Sequence, residues 1–162
     1  MAYLEFCSNC GKKNKTGEID GGYRAHCIVC KTIHYENPKP TATLICMKNK
    51  EILLVKRAKE PGKGMWGLPG GFIETGETLA QASQRELYEE TNLIGYYEGI
   101  VGTYSEYNTL FGDILLIGVR IRIDHWTSLK AGDDASDATL FPLKKIPKLA
   151  FISHEKILNY SL

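Results

Sequence analysis

The sequence predicts an α/β domain preceded by a small ribbon that a metal ion holds together. Three observations lead to this fold class. Two pairs of cysteines stand near the amino terminus, strand-forming runs of β-branched and aliphatic residues recur between residues 41 and 143, and one segment among these runs has the end signals of a helix. A chain of 162 residues suits one well-buried domain with a small appendage.

The composition excludes several classes of protein. Hydrophobic residues make up 43% of the chain and charged residues 24%, as in ordinary soluble globular proteins. The formal net charge is +1, so no global positive field draws the protein to nucleic acid or to an anionic membrane. The amino terminus lacks the basic run and apolar core of a signal peptide, and no segment has the length of a membrane span. We therefore expect a cytoplasmic protein without a membrane or nucleic-acid partner.

The amino-terminal segment carries the spacing of a zinc site. Cys7 and Cys10 form one C-x2-C pair, Cys27 and Cys30 form the other, and sixteen residues separate the pairs. Four thiolates can close a tetrahedral structural Zn²⁺ site, and a segment of about 35 residues buries too little apolar surface to fold without such a staple. Two disulfides are the alternative, but they need an oxidising compartment. We predict a zinc ribbon over residues 1–36.

The main domain is predicted to span residues 37–162, because the prolines in Glu-Asn-Pro-Lys-Pro at residues 36–40 interrupt secondary structure. Two strands joined by a turn at residues 49–50 are predicted to follow. Cys46, in the first strand, is interpreted as a small buried apolar residue. Arg57 ends the second strand ahead of a glycine-rich loop, where it can reach a phosphate. A solvated strand end is the alternative for Arg57.

Residues 71–93, GFIETGETLAQASQRELYEETNL, contain the predicted helix. Thr78 and Gln81 can form a capping box, and Asn92 tolerates the left-handed conformation of a C-terminal cap. At about 100° per residue three carboxylates share one face, those of Glu86, Glu89 and Glu90. A different face can pack on a sheet, and its members are Ala80, Leu87, Tyr88 and Thr91.

The acidic face of this helix predicts a cation-binding site. Like charges four residues apart destabilise a helix by about 0.2–0.5 kcal/mol per pair, so Glu86 beside Glu90 requires compensation. A hard, oxygen-seeking ion supplies it. Mg²⁺ is the first expectation, because it takes few protein carboxylates and bridges to phosphate oxygens, and Mn²⁺ is the substitute.

The same stretch resembles the Nudix box, which reads Gly, five residues, Glu, seven residues, then Arg-Glu-aliphatic-any-Glu-Glu-any-Gly-aliphatic. The positions in register are Gly71, Glu77, Arg85, Glu86, Leu87, Glu89, Glu90 and Leu93. One position departs, since the family's last Gly is Asn92 here, and Asn also suits a left-handed cap. The resemblance implies a Nudix α/β/α sandwich with a mixed sheet. An ordinary acidic surface helix is the alternative.

The resemblance also implies a role for each residue of the box. Glu86, Glu89 and Glu90 would bind the catalytic metal together with the Gly71 carbonyl. An ion pair between Arg85 and Glu77 would fix the loop against the helix and orient these ligands.

The general base is left open between Glu86 and an acidic loop. Related enzymes often carry a further Glu in a comparable loop, but this chain has only Asp133, Asp134 and Asp137 in residues 130–137. Asp134 is the residue assigned to catalysis.

Candidate substrate-binding residues lie outside the box. Two long strands are predicted over residues 95–107 and 110–123, with a turn at Asn108. The aromatic residues near this turn, Tyr104, Tyr107 and Phe111, could stack on a nucleobase or flavin while Arg57 binds the phosphate. Core packing is the alternative for these aromatic residues. Residues 151–160 are predicted to form an amphipathic helix in which His154 is solvated.

The cysteine pairs followed by IHYENPK resemble the zinc-ribbon branch of the Nudix enzymes, which is related to pyrophosphatases of NADH, ADP-ribose and FAD. The SQPWPFP-type signature that NADH pyrophosphatases carry after the box is absent. The resemblance therefore implies a nucleotide-derived substrate, with ADP-ribose or FAD favoured, cleaved to AMP and the second phosphate. NADH, NAD-capped RNA and nucleoside triphosphates are alternative substrates. A ligand-sensing domain with a binding ribbon is the non-enzyme alternative, and the ribbon is also a candidate element for a homodimer.

Overall fold

A computed structural model of the chain describes residues 4–161. The chain forms two compact units, Met1–Asn37 and Pro38–Leu162. The boundary inferred from sequence after residue 36 stays a prediction about domains. Neither helix in the described part of the chain has the length and hydropathy needed to cross a membrane.

The first unit is a three-stranded antiparallel sheet with very little apolar core. Its strands are β1 (Lys15–Ile19), β2 (Gly22–His26) and β3 (Ile33–His34), in that order. The tight turn between β1 and β2 is Asp20 and Gly21, which both have positive φ, as a two-residue hairpin turn of this hand requires. Within residues 4–37 the buried residues are Cys7 and Cys27. The thiols thus occupy the position that apolar side chains hold in larger domains.

The second unit is built on a mixed seven-stranded sheet. Its strands are β4 (Lys39–Lys48), β5 (Glu51–Arg57), β6 (Trp66–Gly67), β7 (Gly70–Phe72), β8 (Tyr96–Thr109), β9 (Gly112–Arg122) and β10 (Ala135–Pro142). The main order is β10-β5-β4-β9-β8, with β6 beside β5 and β7 beside β4. Only the β4–β9 pair is parallel among the described strands. A short 3-10 turn, Leu143–Lys145, follows β10.

One helix packs on each face of this sheet, which gives the α/β/α sandwich that the family resemblance implies. Alternate residues of β4 point to opposite faces, so Leu44 joins a core cluster with Leu87 of α1 (Leu79–Thr91). Its neighbour Ile45 joins a second cluster with Ile157 of α2 (Ile152–Asn159). Leu87 and Ile157 are both 0% exposed. Complete burial of such a side chain contributes about 1.5–3 kcal/mol, so each helix is held mainly by its apolar face.

The ends of α1 match the sequence prediction, and its buried face matches in part, because Leu87 and Thr91 are buried as predicted. The capping box of Thr78 and Gln81 is formed, and Asn92 is the left-handed C-cap. Tyr88, predicted to face the sheet, is 56% exposed. The reason is that the buried stripe of the helix is rotated toward the acids and includes Glu90. Glu90 therefore takes a core-facing position that the apolar pattern of the helix did not indicate.

The long hairpin of β8 and β9 turns slightly later than predicted. Residue pairing continues to Thr109 and Gly112, so the turn is formed by residues 110–111. Asn108 has positive φ and lies where the pairing register shifts, which is a β-bulge. Asn108 therefore marks a bulge ahead of the turn and not the reversal of the chain itself.

Candidate functional site

Four cysteine sulphurs gather at one point in the first unit. The ligand atoms of Cys7, Cys10, Cys27 and Cys30 all lie within 4.8 Å of one another. No two of these residues are joined in a disulfide. The thiol of Cys30 contacts the Thr32 hydroxyl, and hydrogen bonds from the side chain and backbone of Thr32 lower the pKa of Cys30 to about 5. The set fits a tetrahedral structural zinc site.

The two cysteine knuckles are built in the same way. In each, the first cysteine N–H donates to a carbonyl five residues later, and its own carbonyl accepts an N–H four residues later. Gly11 and Lys31 hold the equivalent positive-φ position in the two turns. These backbone bonds present both sulphurs of a knuckle on the same side.

In the second unit Arg85 connects three acids of the predicted site. Its Nε and Nη2 donate to the two carboxylate oxygens of Glu77 at 2.7 and 2.9 Å. Its Nη1 donates to Glu86 at 2.7 Å and to Glu89 at 3.0 Å, and its Nη2 also reaches the Phe72 carbonyl at 3.0 Å. The bidentate pair with Glu77 anchors the guanidinium. Arg85 thus ties α1 to the loop that precedes it.

Burial disfavours the charged forms of Glu86 and Glu90. Burial raises the pKa of Glu86, although the adjacent Arg85 works in the opposite direction. Burial also raises the pKa of Glu90 well above its ordinary value, with the N–H of Gly70 opposing the shift and the charges of Glu86 and Asp134 adding to it. Glu90 is only 6% exposed. The charges of Glu86 and Asp134 act on Glu90, and carboxylate oxygens are the ligands that a hard divalent cation takes, so these residues have the donor chemistry for Mg²⁺ or Mn²⁺.

The ion pair between Glu77 and Arg85 predicts how the stability of the fold changes at low pH. The Arg85 guanidinium, aided by the Glu74 N–H, lowers the pKa of Glu77 to about 2. The ion pair therefore stabilises the fold fully above the unfolded-state pKa of about 4.3, and this contribution is lost as the pH falls toward 2. Replacing Glu77 by Gln should lower the melting temperature at pH 7, with a smaller difference at about pH 3.

Thermal melts of E77Q, of the unchanged protein and of E74Q at both pH values check this prediction. Glu74 is the matched control because its side chain is exposed. A melting difference that stays the same at both pH values would show that Glu77 acts through packing and not through its charge.

The two glycines before the helix bring the backbone against the acids. The Gly70 N–H donates to Glu90 Oε2 at 2.8 Å. A Cβ on Gly71 would lie 2.5 Å from Glu86 Oε1, and a Cβ on Gly70 would lie 2.0 Å from the Ala42 carbonyl. Gly70 admits no side chain, because the Ala42 carbonyl belongs to the backbone and Gly70 has a φ of 136°, whereas a side chain at Gly71 would displace the Glu86 carboxylate. Glycine at these two positions is what lets Glu86 and Glu90 lie against β7.

The acidic loop contributes one residue to this region. Asp134 lies close enough to raise the pKa of both Glu86 and Glu90 by its charge, and it lines the adjacent cleft. Its carbonyl accepts the Ala58 N–H at 2.7 Å, which fixes the loop against the end of β5. Asp137 is exposed and lies opposite Lys56 in the β10–β5 pair, and Asp133 is exposed with positive φ. Neither Asp133 nor Asp137 lines the cleft.

A cleft of about 540 Å³ opens beside the acids on the α2 side of the sheet. Arg57 lines it, and its Nε donates to the Pro61 carbonyl at 2.6 Å while its guanidinium lies 5.0 Å from the Phe151 ring centroid. Phe111 lines the cleft as well and meets the Phe72 ring edge-to-face, with the centroids 5.5 Å apart. The structure thus brings Arg57, Phe111 and Asp134 to one cavity.

The NUDIX domain model matches residues 38–160 of the chain, which include the box, both helices and the cleft. The chain belongs to the NUDIX family. This match confirms the resemblance seen in residues 71–93, and it makes the chain a Nudix hydrolase by family.

The chain is similar to two proteins whose names state an activity and to one protein with a crystal structure. An ADP-ribose pyrophosphatase of Methanocaldococcus jannaschii is 43% identical over 125 residues, which cover 77% of this chain and 73% of that protein. An NAD-capped RNA hydrolase, NudC, of Vibrio parahaemolyticus is 27% identical over 147 residues, covering 91% of this chain and 54% of that protein, so the chain spans about half of this relative. A NUDIX hydrolase from Nitrosomonas europaea has a crystal structure with a TM-score of 0.82 at 31% identity, covering 95% of this chain and 88% of that one.

Two residues of the Nudix domain lie elsewhere than the sequence suggested. Tyr104 packs against the core cluster on the α2 face and is not among the residues lining the cleft. Tyr107, the other tyrosine named as a candidate for stacking, does line the cleft. The bulge at Asn108 changes the alternation of side chains near the end of β8, so a count from the strand's start does not show which tyrosine reaches the cavity.

His154 of α2 is the larger surprise, because it was predicted to be solvated. Its Nδ1 accepts the Leu68 N–H at 3.0 Å, its ring meets the Phe151 ring edge-to-face at 5.2 Å, and it lines the cleft. Burial lowers the pKa of His154 to about 4, with the positive charge of Arg57 adding to the shift. The imidazole is therefore neutral at physiological pH. The amphipathic pattern of residues 151–160 carried no signal of this contact, since Leu68 is 86 residues away in sequence.

Proposed function

We propose that the protein hydrolyses the diphosphate of a nucleoside diphosphate linked to another moiety, with Mg²⁺ or Mn²⁺ as the catalytic cation. The observation that carries this proposal is the burial of Glu86 and Glu90 against Gly70 and Gly71 at the side of a cleft that also holds Arg57. When bound, the cation would neutralise phosphoryl oxygens and lower the pKa of the attacking water.

Each residue of the site has a proposed task. Glu86, Glu89 and Glu90 would hold the cation together with the Gly71 carbonyl. Arg85 would keep these carboxylates in place through its anchor on Glu77. Arg57 would bind a phosphate of the substrate, because its Nε is fixed by Pro61 while its side chain lines the cleft.

Asp134 is proposed as the base that accepts the proton of the attacking water. Glu86 is engaged by Arg85 at 2.7 Å, whereas no ion pair of Asp134 is found among residues 4–161. Replacing Asp134 by Asn should lower kcat by about 10²–10⁴-fold, the usual contribution of a positioned general base. D137N is the matched control and should keep the activity, since Asp137 is exposed on β10.

Steady-state rates of D134N and D137N between about pH 6 and 9 measure the effect. If D134N kept nearly full activity, Asp134 would not be the base, and the pH profile of E86Q at saturating Mg²⁺ would then test Glu86.

ADP-ribose is the proposed substrate, to be cleaved to AMP and ribose phosphate. The relative named ADP-ribose pyrophosphatase, at 43% identity and 73% coverage, supports it. The more distant relative named NAD-capped RNA hydrolase, at 27% identity, makes NADH and NAD-capped RNA the next candidates. FAD follows, because its flavin could stack on Phe111, which is 41% exposed.

A substrate panel tests the proposal. Purified protein is incubated with ADP-ribose, FAD, NADH, NAD-capped RNA and deoxynucleoside triphosphates, with Mg²⁺, with Mn²⁺ and with a chelator. Metal-dependent release of AMP, fastest from ADP-ribose, is the expected result. Failure to cleave any of these compounds, while ADP-ribose still binds, would indicate a ligand sensor and not an enzyme.

We also propose that the ribbon binds one Zn²⁺ as a structural ion and that the protein acts in the cytoplasm, where thiols stay reduced. Light scattering with and without a zinc chelator distinguishes a monomer from a homodimer held by the ribbon.

A further inference from the structure

Two buried hydroxyls of residues that line the cleft have no hydrogen-bond partner in the described part of the chain. Ser153 is 1% exposed and lines the cleft, yet its hydroxyl makes no hydrogen bond within residues 4–161. The same is true of the buried hydroxyl of Thr41, which lies on the β4 floor of the cleft. A buried hydroxyl without a partner loses its hydrogen bonds to water and gains none in return. Both residues line one cavity, so a ligand held there is the candidate partner for the two hydroxyls.

His154 adds a donor to the same region. Its Nδ1 accepts the Leu68 N–H, and the ring is neutral, so the proton of the imidazole is on Nε2. Nε2 has no hydrogen-bond partner in the described part of the chain. The ring edge that carries Nδ1 and Cε1 is turned to Gly67. The polar group that remains for a ligand in the cleft is therefore the Nε2–H.

This polar region adjoins the phosphate region. Arg57 is close enough to His154 to depress its pKa and close enough to Glu90 to oppose the rise of that carboxyl's pKa. It therefore lies between the acids and the α2 residues. A substrate whose diphosphate meets Arg57 and the acids would place its next group against Ser153 and His154.

The chemistry of the region fits a sugar better than a nucleobase. Two hydroxyls and one neutral N–H match groups that both donate and accept hydrogen bonds, as sugar hydroxyls do. The nearby Phe151 ring is already contacted by the Arg57 guanidinium and the His154 ring, so it offers little surface for stacking. The exposed aromatic surface of the cleft is formed by other residues, Tyr107 and Phe111. Base and sugar would thus occupy different parts of the cleft.

We propose that Ser153 and His154, with Thr41 on the floor of the cleft, bind the hydroxyls of a sugar attached to the diphosphate on the side away from the nucleoside. This inference rests on the proposed diphosphate hydrolysis and specifies the group that the enzyme selects. Ser153 and His154 are specificity residues in this scheme. They take no part in bond cleavage.

Two substrates that differ only in hydroxyls test the inference. The first is ADP-ribose, and the second is the tetrahydrofurfuryl ester of ADP, which keeps the five-membered ring and loses its hydroxyls. S153A removes the unpaired hydroxyl. H154N keeps an acceptor near the position of Nδ1 for Leu68 and removes the distal N–H. H125N is the matched control, because His125 is exposed and lies outside the cleft.

Each of the two variants should lower kcat/KM for ADP-ribose by about 2–10-fold, the range of one neutral hydrogen bond. The same variants should change kcat/KM for the tetrahydrofurfuryl ester by less than about 2-fold. The melting temperature of S153A should stay the same or rise, because the lost hydroxyl has no partner in the protein. H125N should match the unchanged protein on both substrates.

Equal losses on both substrates, or none on either, would overturn the sugar subsite while the proposed hydrolysis stood. If the unchanged protein cleaved neither compound, the proposed hydrolysis would fail. The subsite would then be tested by calorimetric measurement of dissociation constants in the presence of a chelator. S153A and H154N should raise the dissociation constant of ADP-ribose and leave that of the tetrahydrofurfuryl ester unchanged. Equal binding of ADP-ribose by all variants would overturn the subsite in that case too.

Discussion

Replacing Glu90 by Gln is expected to remove hydrolysis and, at the same time, to make the metal-free protein more stable. The loss should be about 10²–10³-fold or more in kcat, as for the removal of a preorganised electrostatic group. The gain arises because Glu90 is 6% exposed and shares its surroundings with Glu86 and Asp134. Glutamine retains an oxygen that can accept the Gly70 N–H and carries no charge.

The pH dependence of stability follows from the sign of the pKa shifts. Burial raises the pKa values of Glu90 and Glu86 in the folded protein. At a pH between the unfolded-state pKa and the folded-state pKa of each carboxyl, the native state therefore binds more protons than the unfolded chain. The contribution of these carboxyls to stability is therefore best at low pH and declines as the pH rises through that window. In E90Q this decline should be shallower.

Melting curves with and without Mg²⁺, together with hydrolysis rates, measure both effects. Mg²⁺ should raise the melting temperature of the unchanged protein and have much less effect on E90Q. E155Q is the matched control, since Glu155 is exposed on α2, and it should behave as the unchanged protein. An E90Q protein that melts lower without metal, or that keeps its activity, would contradict the role assigned to Glu90.

Removal of zinc is expected to unfold the ribbon. Residues 4–37 bury only Cys7 and Cys27, so the apolar effect cannot hold this unit together. The apparent free energy of zinc binding in comparable peptides is about 10–16 kcal/mol at pH 7, far more than so small a core supplies. Replacing Cys27 by Ser should therefore abolish zinc binding and disperse the structure of β1, β2 and β3.

Zinc content by mass spectrometry and amide chemical shifts of residues 4–37 check this expectation. C46S is the matched control: Cys46 is fully buried in the other unit, so this change should leave one zinc per chain and an intact ribbon. A C27S protein that still held one zinc ion, or a wild-type ribbon that stayed folded after chelation, would show that the cysteines do not form the site.

The parts of the site that follow from local rules could be predicted from sequence. Thr78, Gln81 and Asn92 set the ends of α1 through contacts within a few residues, and the spacing of Glu86 and Glu90 places both on the side of the helix that meets β7. The hairpin of β4 and β5 turns at Asn49, whose positive φ suits a short turn.

The parts that depend on distant contacts could not be predicted. Tyr88 is exposed because the sheet selects the stripe of α1 that contains Glu90, and no helical pattern reveals that choice. His154 is held by Leu68, and Tyr104 turns to the core. In each case the partner comes from another element of the fold, and a single sequence gives no register between those elements.

Three consecutive residues before the box each form a hydrogen bond to a different element of the fold. The Leu68 N–H donates to His154 of α2, the Pro69 carbonyl accepts the Leu44 N–H of β4, and the Gly70 N–H donates to Glu90 of α1. Opening this stretch would break bonds to both helix layers and to the sheet between them. In hydrogen–deuterium exchange the amides of Leu68 and Gly70 should therefore be among the slowest to exchange, at rates set by unfolding of the whole domain.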